Sequence, residues 1–151
     1  MIARAPAPPT VWAFGVFSII PLFIAAGIYC YGPAPLHGAG LLALLGYCTA
    51  LLSYLGGIRC GLEFERRRPR WRKIAYSMLA PFFAFFLLLG AGYGRLDPVA
   101  QISGFLVAFL LQWIWDVNDH EGPDWRPRLR TLLTAGAAIP LAFALEQALS
   151  M

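Results

Sequence analysis

The sequence predicts an all-α protein, a polytopic bundle of five transmembrane helices that forms one domain over residues 1–151. Three observations support this fold class. The composition is 59% hydrophobic and only 13% charged, with a mean hydropathy of +0.63. The charges gather in short segments between long uncharged runs. Five of these runs approach the ~20 residues with which a helix crosses a hydrocarbon core about 30 Å thick.

The predicted helices cover residues 11–31, 40–62, 74–94, 99–117 and 132–149. Backbone polar groups in lipid must be satisfied within the segment, so each run is a helix. A transmembrane barrel would alternate apolar and polar residues, whereas residues 84–92 are apolar throughout. The first run exceeds the ~7 to 15 residues of a signal-peptide core, which predicts a retained helix. The fifth run is the shortest and carries Glu146 near its end.

Proline lies inside three of the predicted helices, at Pro21, Pro81 and Pro140. Each proline removes a backbone donor and permits a kink. Static kinks are the preferred interpretation because no polar pathway accompanies the prolines, and a transport hinge is the alternative. The connections between the runs are short, which favours an up-and-down bundle in which sequential helices are neighbours.

Lysine and arginine are distributed unevenly between the two sets of alternate loops. One set holds ten of them, and the other holds only Arg95. The ten are Arg4, Arg66, Arg67, Arg68, Arg70, Arg72, Lys73, Arg126, Arg128 and Arg130. Short loops rich in these residues stay in the cytoplasm. The N-terminus is therefore predicted to be cytoplasmic and the C-terminus periplasmic, in a bacterial inner membrane.

The basic cluster RRRPRWRK separates the second predicted helix from the third. Because it lies beside two spans, it predicts contact with anionic lipid headgroups, each charge contributing ~1 kcal/mol near the surface. The residues concerned are Arg66, Arg67, Arg68, Arg70, Arg72 and Lys73. Docking of a protein is the alternative, and binding of nucleic acid is not expected.

Small residues recur along the second predicted helix at spacings of four, three, four and four. They are Gly46, Ala50, Ser53, Gly57 and Gly61. In lipid, such a stripe lets another backbone approach closely. The predicted helix-packing motif consists of Ser53, Gly56, Gly57 and Gly61. Packing within the monomer is the preferred interpretation, and a dimer or partner face is the alternative.

Two ionisable residues, Arg59 and Asp116, fall near the same end of the second and fourth predicted helices. An ionisable group at membrane depth is costly unless it is paired or reaches the interface. Three interpretations stay open: a structural ion pair, snorkelling of Arg59 with Asp116 starting the next loop, and a ligand or proton site. Gln112 lies one helical turn before Asp116 on the same face and could extend this polar group.

No cofactor and no metal site are predicted. The loop after the fourth helix contains Asp119, His120, Glu121 and Asp124, but no recognised ligand spacing, so a solvated acidic loop is favoured over a metal site. The two histidines, His37 and His120, fall on opposite sides of the predicted membrane, which argues against haem ligation between helices. The three cysteines, Cys30, Cys48 and Cys60, are predicted to pack as small apolar residues.

Two blocks of the sequence resemble the bacterial domain of unknown function 3429 family. The first is GYCTALLSYLGGIRCGLEF, matched at Tyr47, Leu52, Ser53, Leu55, Gly56, Gly57, Ile58, Arg59, Gly61 and Leu62. The second is WRPRLRTLLT, matched at Trp125, Leu129, Arg130, Leu133 and Thr134. Asp116 stands where an acidic residue usually ends the preceding helix, whereas Tyr54, Cys60 and Arg126 depart from the family pattern. The resemblance implies a five-helix inner-membrane protein related to mitochondrial transmembrane protein 69, and it implies no particular reaction.

Three classes of function fit these features. The favoured class is a non-catalytic accessory or assembly factor of a larger complex in an energy-transducing membrane, because the predicted outer loops are tiny and no catalytic set is present. The second class is a small transporter or channel that uses Arg59, Gln112 and Asp116. The third is an intramembrane enzyme acting on a lipid or quinone, with Arg59 binding an anionic head and Asp116 as acid or base.

Overall fold

A computed structural model describes residues 8–94, 96–118 and 125–150 of the chain. Over these residues the regular secondary structure is helical and contains no strand. Five helical stretches are long and apolar enough to cross a membrane, which confirms the predicted all-helical membrane protein. Several residues used in the sequence analysis lie outside the described residues, so the predictions that depend on them stay predictions. These residues are Arg4, Arg95, Asp119, His120, Glu121 and Asp124.

The elements follow one another in chain order. They are α1 (Pro9–Phe17), α2 (Ile20–Tyr31), a 3₁₀ turn (Ala34–Leu36), α3 (His37–Phe64), α4 (Trp71–Gly92), α5 (Pro98–Asn118) and α6 (Arg126–Ser150). Helices α1 and α2 together form the first span. Hydropathy marks only the part of a helix that suits hydrocarbon, and the helical backbone can continue into polar flanks. The clearest case is α6, which begins at Arg126 instead of residue 132.

The first span is broken between α1 and α2, next to Pro21. Proline has no backbone N–H with which to continue the helical hydrogen-bond ladder. The N–H of Leu22 donates to the carbonyl of Ile19 at 3.0 Å, a tighter turn than that of an α-helix. This leaves the Ser18 carbonyl available, and the hydroxyl of Tyr47 in α3 donates to it at 2.9 Å. Pro81 and Pro140 lie inside the unbroken helices α4 and α6.

Helix α3 packs against three other helices, α2, α4 and α5. Helix α5 also packs against α4 and α6, and α6 returns to α2. The core consists of fully buried apolar side chains from these helices. They include Leu22, Leu44, Leu45, Leu52, Ile102, Phe105, Phe109 and Leu141. Because lipid tails are as apolar as these side chains, close van der Waals packing stabilises the bundle more than the hydrophobic effect does.

Helices α3 and α4 approach each other closely at Gly56. Pro81 cannot donate a hydrogen bond to the Ser77 carbonyl one turn earlier, and this carbonyl faces Gly56. A Cβ atom on residue 56 would lie 2.6 Å from the Ser77 oxygen and 3.3 Å from the Pro81 Cδ. The absence of a side chain at Gly56 therefore lets the two helices meet at the proline.

Candidate functional site

Three charged side chains from three helices meet at one end of the bundle. Arg59 of α3 contacts Asp116 of α5 through its Nε and the carboxylate Oδ1. The Nε of Arg130 in α6 lies 3.3 Å from the other carboxylate oxygen, Oδ2. Arg59 and Asp116 are each 8% exposed and Arg130 is 4% exposed. We call Arg59, Asp116 and Arg130 the arginine clamp, because two guanidinium groups enclose one carboxylate.

The topology explains why these residues meet. Helices α3 and α5 both end on this side of the bundle, and α6 begins there. The last four carbonyls of a helix have no partner within the helix. Arg59 donates from Nη2 to one of them, the Trp115 carbonyl, at 3.1 Å, and so caps α5. Arg130 of α6 donates from Nη2 to the carbonyl of Leu55 in α3 at 3.2 Å. The clamp thus ties α3, α5 and α6 together through backbone as well as side chains.

Aromatic rings cover one side of the arginine clamp. The guanidinium carbon of Arg59 lies 4.2 Å from the centre of the Trp115 ring, which is within cation–π range. Tyr76 of α4 packs edge-on against the same ring, with centroids 5.9 Å apart. These contacts hold the guanidinium plane in place and limit the access of water to the ion pair. A charge pair shielded in this way is suited to a structural role.

Gln112 lies in the same face of α5 as Asp116 and is 6% exposed. Its Nε2 is buried and has no hydrogen-bond partner among the described residues. It lines an apolar cavity of about 730 Å³ between α4 and α5, together with residues such as Phe83 and Trp115. The expected extension of the polar group to Gln112 stays a prediction.

A second ionic cluster forms where α3 leaves the bundle. The buried Glu63 carboxylate binds Arg70, with Nη2 at 2.5 Å from Oε1 and Nε at 3.2 Å from Oε2. The Nε of Arg66 lies 3.3 Å from Oε1. Two of the six residues predicted to contact headgroups thus also bind a carboxylate of their own chain, and their side chains stay 43% and 39% exposed for Arg66 and Arg70.

The other members of the basic cluster are placed differently. Arg67, Arg68 and Arg72 are exposed, and Lys73 is half-buried. The guanidinium carbon of Arg72 lies 5.6 Å from the Trp71 ring centre.

The sequence predictions do not include Glu63, although the sequence contains a sign of its ionic contact. Glu63 precedes Arg66 by three residues, a spacing at which side chains near the end of a helix can meet.

The small residues of α3 do not all point into the bundle. Gly56 packs against α4, as described above. We use the term α3 stripe for the set Gly46, Ala50, Ser53, Gly57 and Gly61. A Cβ atom added at Gly46, Gly57 or Gly61 would meet nothing within 4 Å, and Ala50, Gly57 and Gly61 are exposed. Gly46 and Ser53 are half-buried, so packing of the stripe within the monomer stays a prediction, with Ala50, Gly57 and Gly61 facing outward. The outward position of Gly57 follows from helical periodicity, which sets Gly56 about 100° around the helix from Gly57.

The second family block forms the start of α6. Trp125 is half-buried before the helix, and its carbonyl accepts a bond from the Leu129 N–H at 3.2 Å. Arg130 and Thr134, one turn apart, are both buried. The apolar run begins only at residue 132, so hydropathy predicts that Arg130 is a loop charge. Its membership in a matched family block was the one signal of a buried role.

Metal ligands do not cluster in the part of the chain that the structure describes. No group of three or more histidine, cysteine, aspartate or glutamate side chains is close enough there to hold a metal ion. Cys48 and Cys60 are buried and Cys30 is half-buried, all as free thiols. The ionisable groups that do cluster are the arginine clamp and the Glu63 cluster.

Comparison with known proteins identifies a family. A family model described as "Protein of unknown function (DUF3429)" matches residues 7–146. No curated protein and no solved structure matches the chain at a significant level. The matched range includes α3 with its glycines and all three members of the arginine clamp. Because the match covers nearly the whole sequence, the chain belongs to the DUF3429 family.

Proposed function

We propose that this protein is a non-catalytic accessory or assembly factor of a larger complex in an energy-transducing membrane, and that it docks through the α3 stripe. The observation that carries this proposal is the outward position of the stripe. In lipid, helices associate where small residues let two backbones approach closely. A face of this kind on α3, exposed at Ala50, Gly57 and Gly61, is suited to a transmembrane helix of a partner protein.

The length of the α3 stripe supports a docking role. Gly46 and Gly61 are fifteen residues apart in one continuous helix. At 1.5 Å per residue they are separated by about 22 Å, most of the thickness of a hydrocarbon core. A partner helix could therefore contact α3 over most of the membrane. Single exposed glycines are common, whereas a stripe of this length offers an extended contact.

The arginine clamp supports a role without catalysis. Each oxygen of the Asp116 carboxylate is engaged by an arginine, and the arginines are also bound to backbone carbonyls. A general acid or base needs an atom within hydrogen-bond reach of a substrate. An enclosed carboxylate offers none without breaking the contacts that join three helices. The clamp therefore acts as a structural tie in this proposal.

The proposal includes a location and an orientation. We place the protein in a bacterial inner membrane with a cytoplasmic N-terminus and a periplasmic C-terminus, as the bias of lysine and arginine favours. The exposed side chains of Arg67, Arg68 and Arg72 then lie at the cytoplasmic surface, where they contact anionic headgroups. Arg66 and Arg70 contribute to this surface while they bind Glu63.

The docking proposal is tested by native electrophoresis of the tagged full-length protein after extraction from its own membranes in mild detergent. Ala50→Leu and Gly57→Leu each place a bulky side chain on the α3 stripe. Ala135→Leu makes the same change as Ala50→Leu at an exposed position of α6. We expect the wild type and Ala135→Leu to migrate with a large complex and the two stripe variants to migrate as a small species. Solitary migration of the wild type would contradict the proposal, as would equal release of Ala135→Leu.

A second candidate function, binding or conversion of a lipid or quinone, is favoured by one observation. The buried, unpartnered amide of Gln112 lines the apolar cavity between α4 and α5. Gln112→Leu removes the amide and keeps the approximate size of the side chain. Gln101→Leu is the control, because Gln101 is buried in the same helix and already donates to the Leu96 carbonyl at 3.3 Å. This candidate predicts that a co-purifying lipid or quinone, measured by mass spectrometry, is lost from Gln112→Leu alone.

A further inference from the structure

The lining of the cavity between α4 and α5 is rich in aromatic rings. Its volume of about 730 Å³ is in the range of pockets that hold small organic ligands. Five of the ten described residues that line it are aromatic, and none of the ten is charged. The aromatic residues are Tyr76, Phe82, Phe83, Phe86 and Trp115. Because aromatic side chains pack well against the face or edge of another ring, this lining favours an uncharged ligand with a flat ring.

The position of the cavity indicates the phase from which a ligand enters. Phe82 and Phe86 of α4 and Leu111 of α5 line the cavity and are exposed on the outside of the bundle. Both helices are long and apolar enough to cross a membrane, so this exposed surface is the one that lipid tails contact. A molecule dissolved in the bilayer therefore reaches the cavity directly and can keep an apolar tail in the lipid.

Gln112 supplies the polar group that selects the ligand. It is 6% exposed and lines the cavity, and its Nε2 is buried without a hydrogen-bond partner among the described residues. A buried amide donor without a partner costs free energy, and a ligand with an acceptor oxygen removes this cost. The amide is neutral and would leave the charge of a buried anion unpaired. The acceptor that it suits is the oxygen of an uncharged carbonyl group.

We propose that this cavity binds a lipid-soluble quinone, a flat ring with two carbonyl groups and a long apolar tail. One carbonyl accepts a hydrogen bond from the Nε2 of Gln112, the ring packs among the aromatic side chains, and the tail extends into the lipid. The inference rests on the second candidate function, the binding of a lipid or quinone, and names one ligand class and the amide that recognises it. The proposal concerns binding and includes no conversion of the quinone.

Occupation of the cavity also supports the arginine clamp. Trp115 lines the cavity and lies over the guanidinium group of Arg59, with 4.2 Å between the guanidinium carbon and the ring centre. Tyr76 lines the cavity and packs edge-on against Trp115. A ring bound against these two side chains restrains them in the positions that cover the ion pair. Binding of the quinone should therefore stabilise the folded protein.

Binding is tested on the full chain, purified and stripped of lipid in a neutral mild detergent. The probes are decylubiquinone, decylbenzene, which has a ring and the same tail but no carbonyl group, and phosphatidylglycerol. Each is titrated while thermal unfolding is followed by far-ultraviolet circular dichroism. A ligand that binds only the folded protein raises the Tm in a saturable way. We expect decylubiquinone to bind about tenfold more tightly than decylbenzene, which corresponds to ~1.4 kcal/mol for the hydrogen bond.

Two variants locate the site. Gln112→Leu should abolish the preference for decylubiquinone over decylbenzene. Gln101→Leu should keep it, because Gln101 donates to the Leu96 carbonyl and does not line the cavity. Ala80→Leu fills part of the cavity and should weaken the binding of both probes, so it tests the site even if Gln112→Leu fails to fold. Ala135→Leu makes the same change at an exposed position of α6 and should leave binding unchanged.

The other outcomes would overturn the inference. Equal affinity of the wild type for decylubiquinone and decylbenzene, or an unchanged preference in Gln112→Leu, would show that the amide does not recognise a carbonyl group. Unchanged binding in Ala80→Leu would place the quinone outside the cavity. Saturable stabilisation by phosphatidylglycerol alone, lost in Ala80→Leu, would reject the quinone and leave lipid binding as the second candidate function. No stabilisation by any probe would contradict both.

Discussion

Arg59 and Asp116 form a buried ion pair between α3 and α5, and the same arginine caps the C-terminal end of α5 through the Trp115 carbonyl. Arg130 joins the pair from α6. Three helices are therefore held at one end of the bundle by a carboxylate that two cations share. Asp116 is therefore the member of the arginine clamp whose carboxylate contacts both arginines.

Asp116→Asn should strongly destabilise the protein. The amide keeps the shape of the side chain but removes the only negative charge in the arginine clamp, which leaves two buried cations facing each other. Removing one partner of a buried pair costs about 3 to 5 kcal/mol. The measurement is thermal or denaturant-induced unfolding in detergent. Asp97→Asn, at the exposed opposite end of α5, is the control and should be close to neutral.

Arg130→Gln should be less damaging than Asp116→Asn. Without Arg130 the remaining Arg59–Asp116 pair is neutral, so the loss is limited to the hydrogen bonds of Arg130, about 1.5 to 3 kcal/mol. The same unfolding assay, applied to both variants, ranks them by stability. A larger loss of stability in Arg130→Gln than in Asp116→Asn would contradict this prediction. The net charge of the arginine clamp would then not determine its stability.

Two adjacent glycines should respond in opposite ways to substitution by alanine. Gly56→Ala brings a methyl group to 2.6 Å from the Ser77 carbonyl oxygen, so it forces α3 and α4 apart at a cost of about 1 to 3 kcal/mol. Gly57→Ala meets open space and gains helix propensity of up to ~1 kcal/mol. Unfolding in detergent distinguishes the two. Equal effects would show that α3 and α4 do not approach each other closely at Gly56.

The orientation can be measured with reporter fusions. Alkaline phosphatase is active only after export, so a fusion at Pro69, between α3 and α4, should be inactive and a fusion at Pro33, between α2 and α3, should be active. The reason is the retention of arginine-rich loops in the cytoplasm. A fluorescent reporter at Pro69 serves as a positive control for expression. Activity of the phosphatase at Pro69 would reverse the proposed topology.

Much of the fold could be predicted from the sequence, because a helix that crosses lipid must be long and apolar and this requirement is visible in the composition. The matching depths of Arg59 and Asp116 made an ion pair one of three open interpretations, because an ionisable group at membrane depth must be paired or reach the interface. Arg130 could not be placed, since hydropathy does not reveal that α6 begins at Arg126, before the apolar run. The sequence also did not indicate whether the α3 stripe faces into the bundle or outward. Spacing shows that small residues share a face, but the packing of α2 and α4 on α3 decides which face stays open.

Site-specific photo-crosslinking in native membranes tests the central claim, that the α3 stripe docks on another membrane protein. A photo-reactive benzoylphenylalanine is placed at Ala50 on the stripe or, as a control, at Ala135 on the exposed face of α6. The account predicts a discrete adduct between this chain and a different membrane protein from position 50 and none from position 135. No adduct from position 50, an adduct only with a second copy of this chain, or the same adducts from both positions would contradict it.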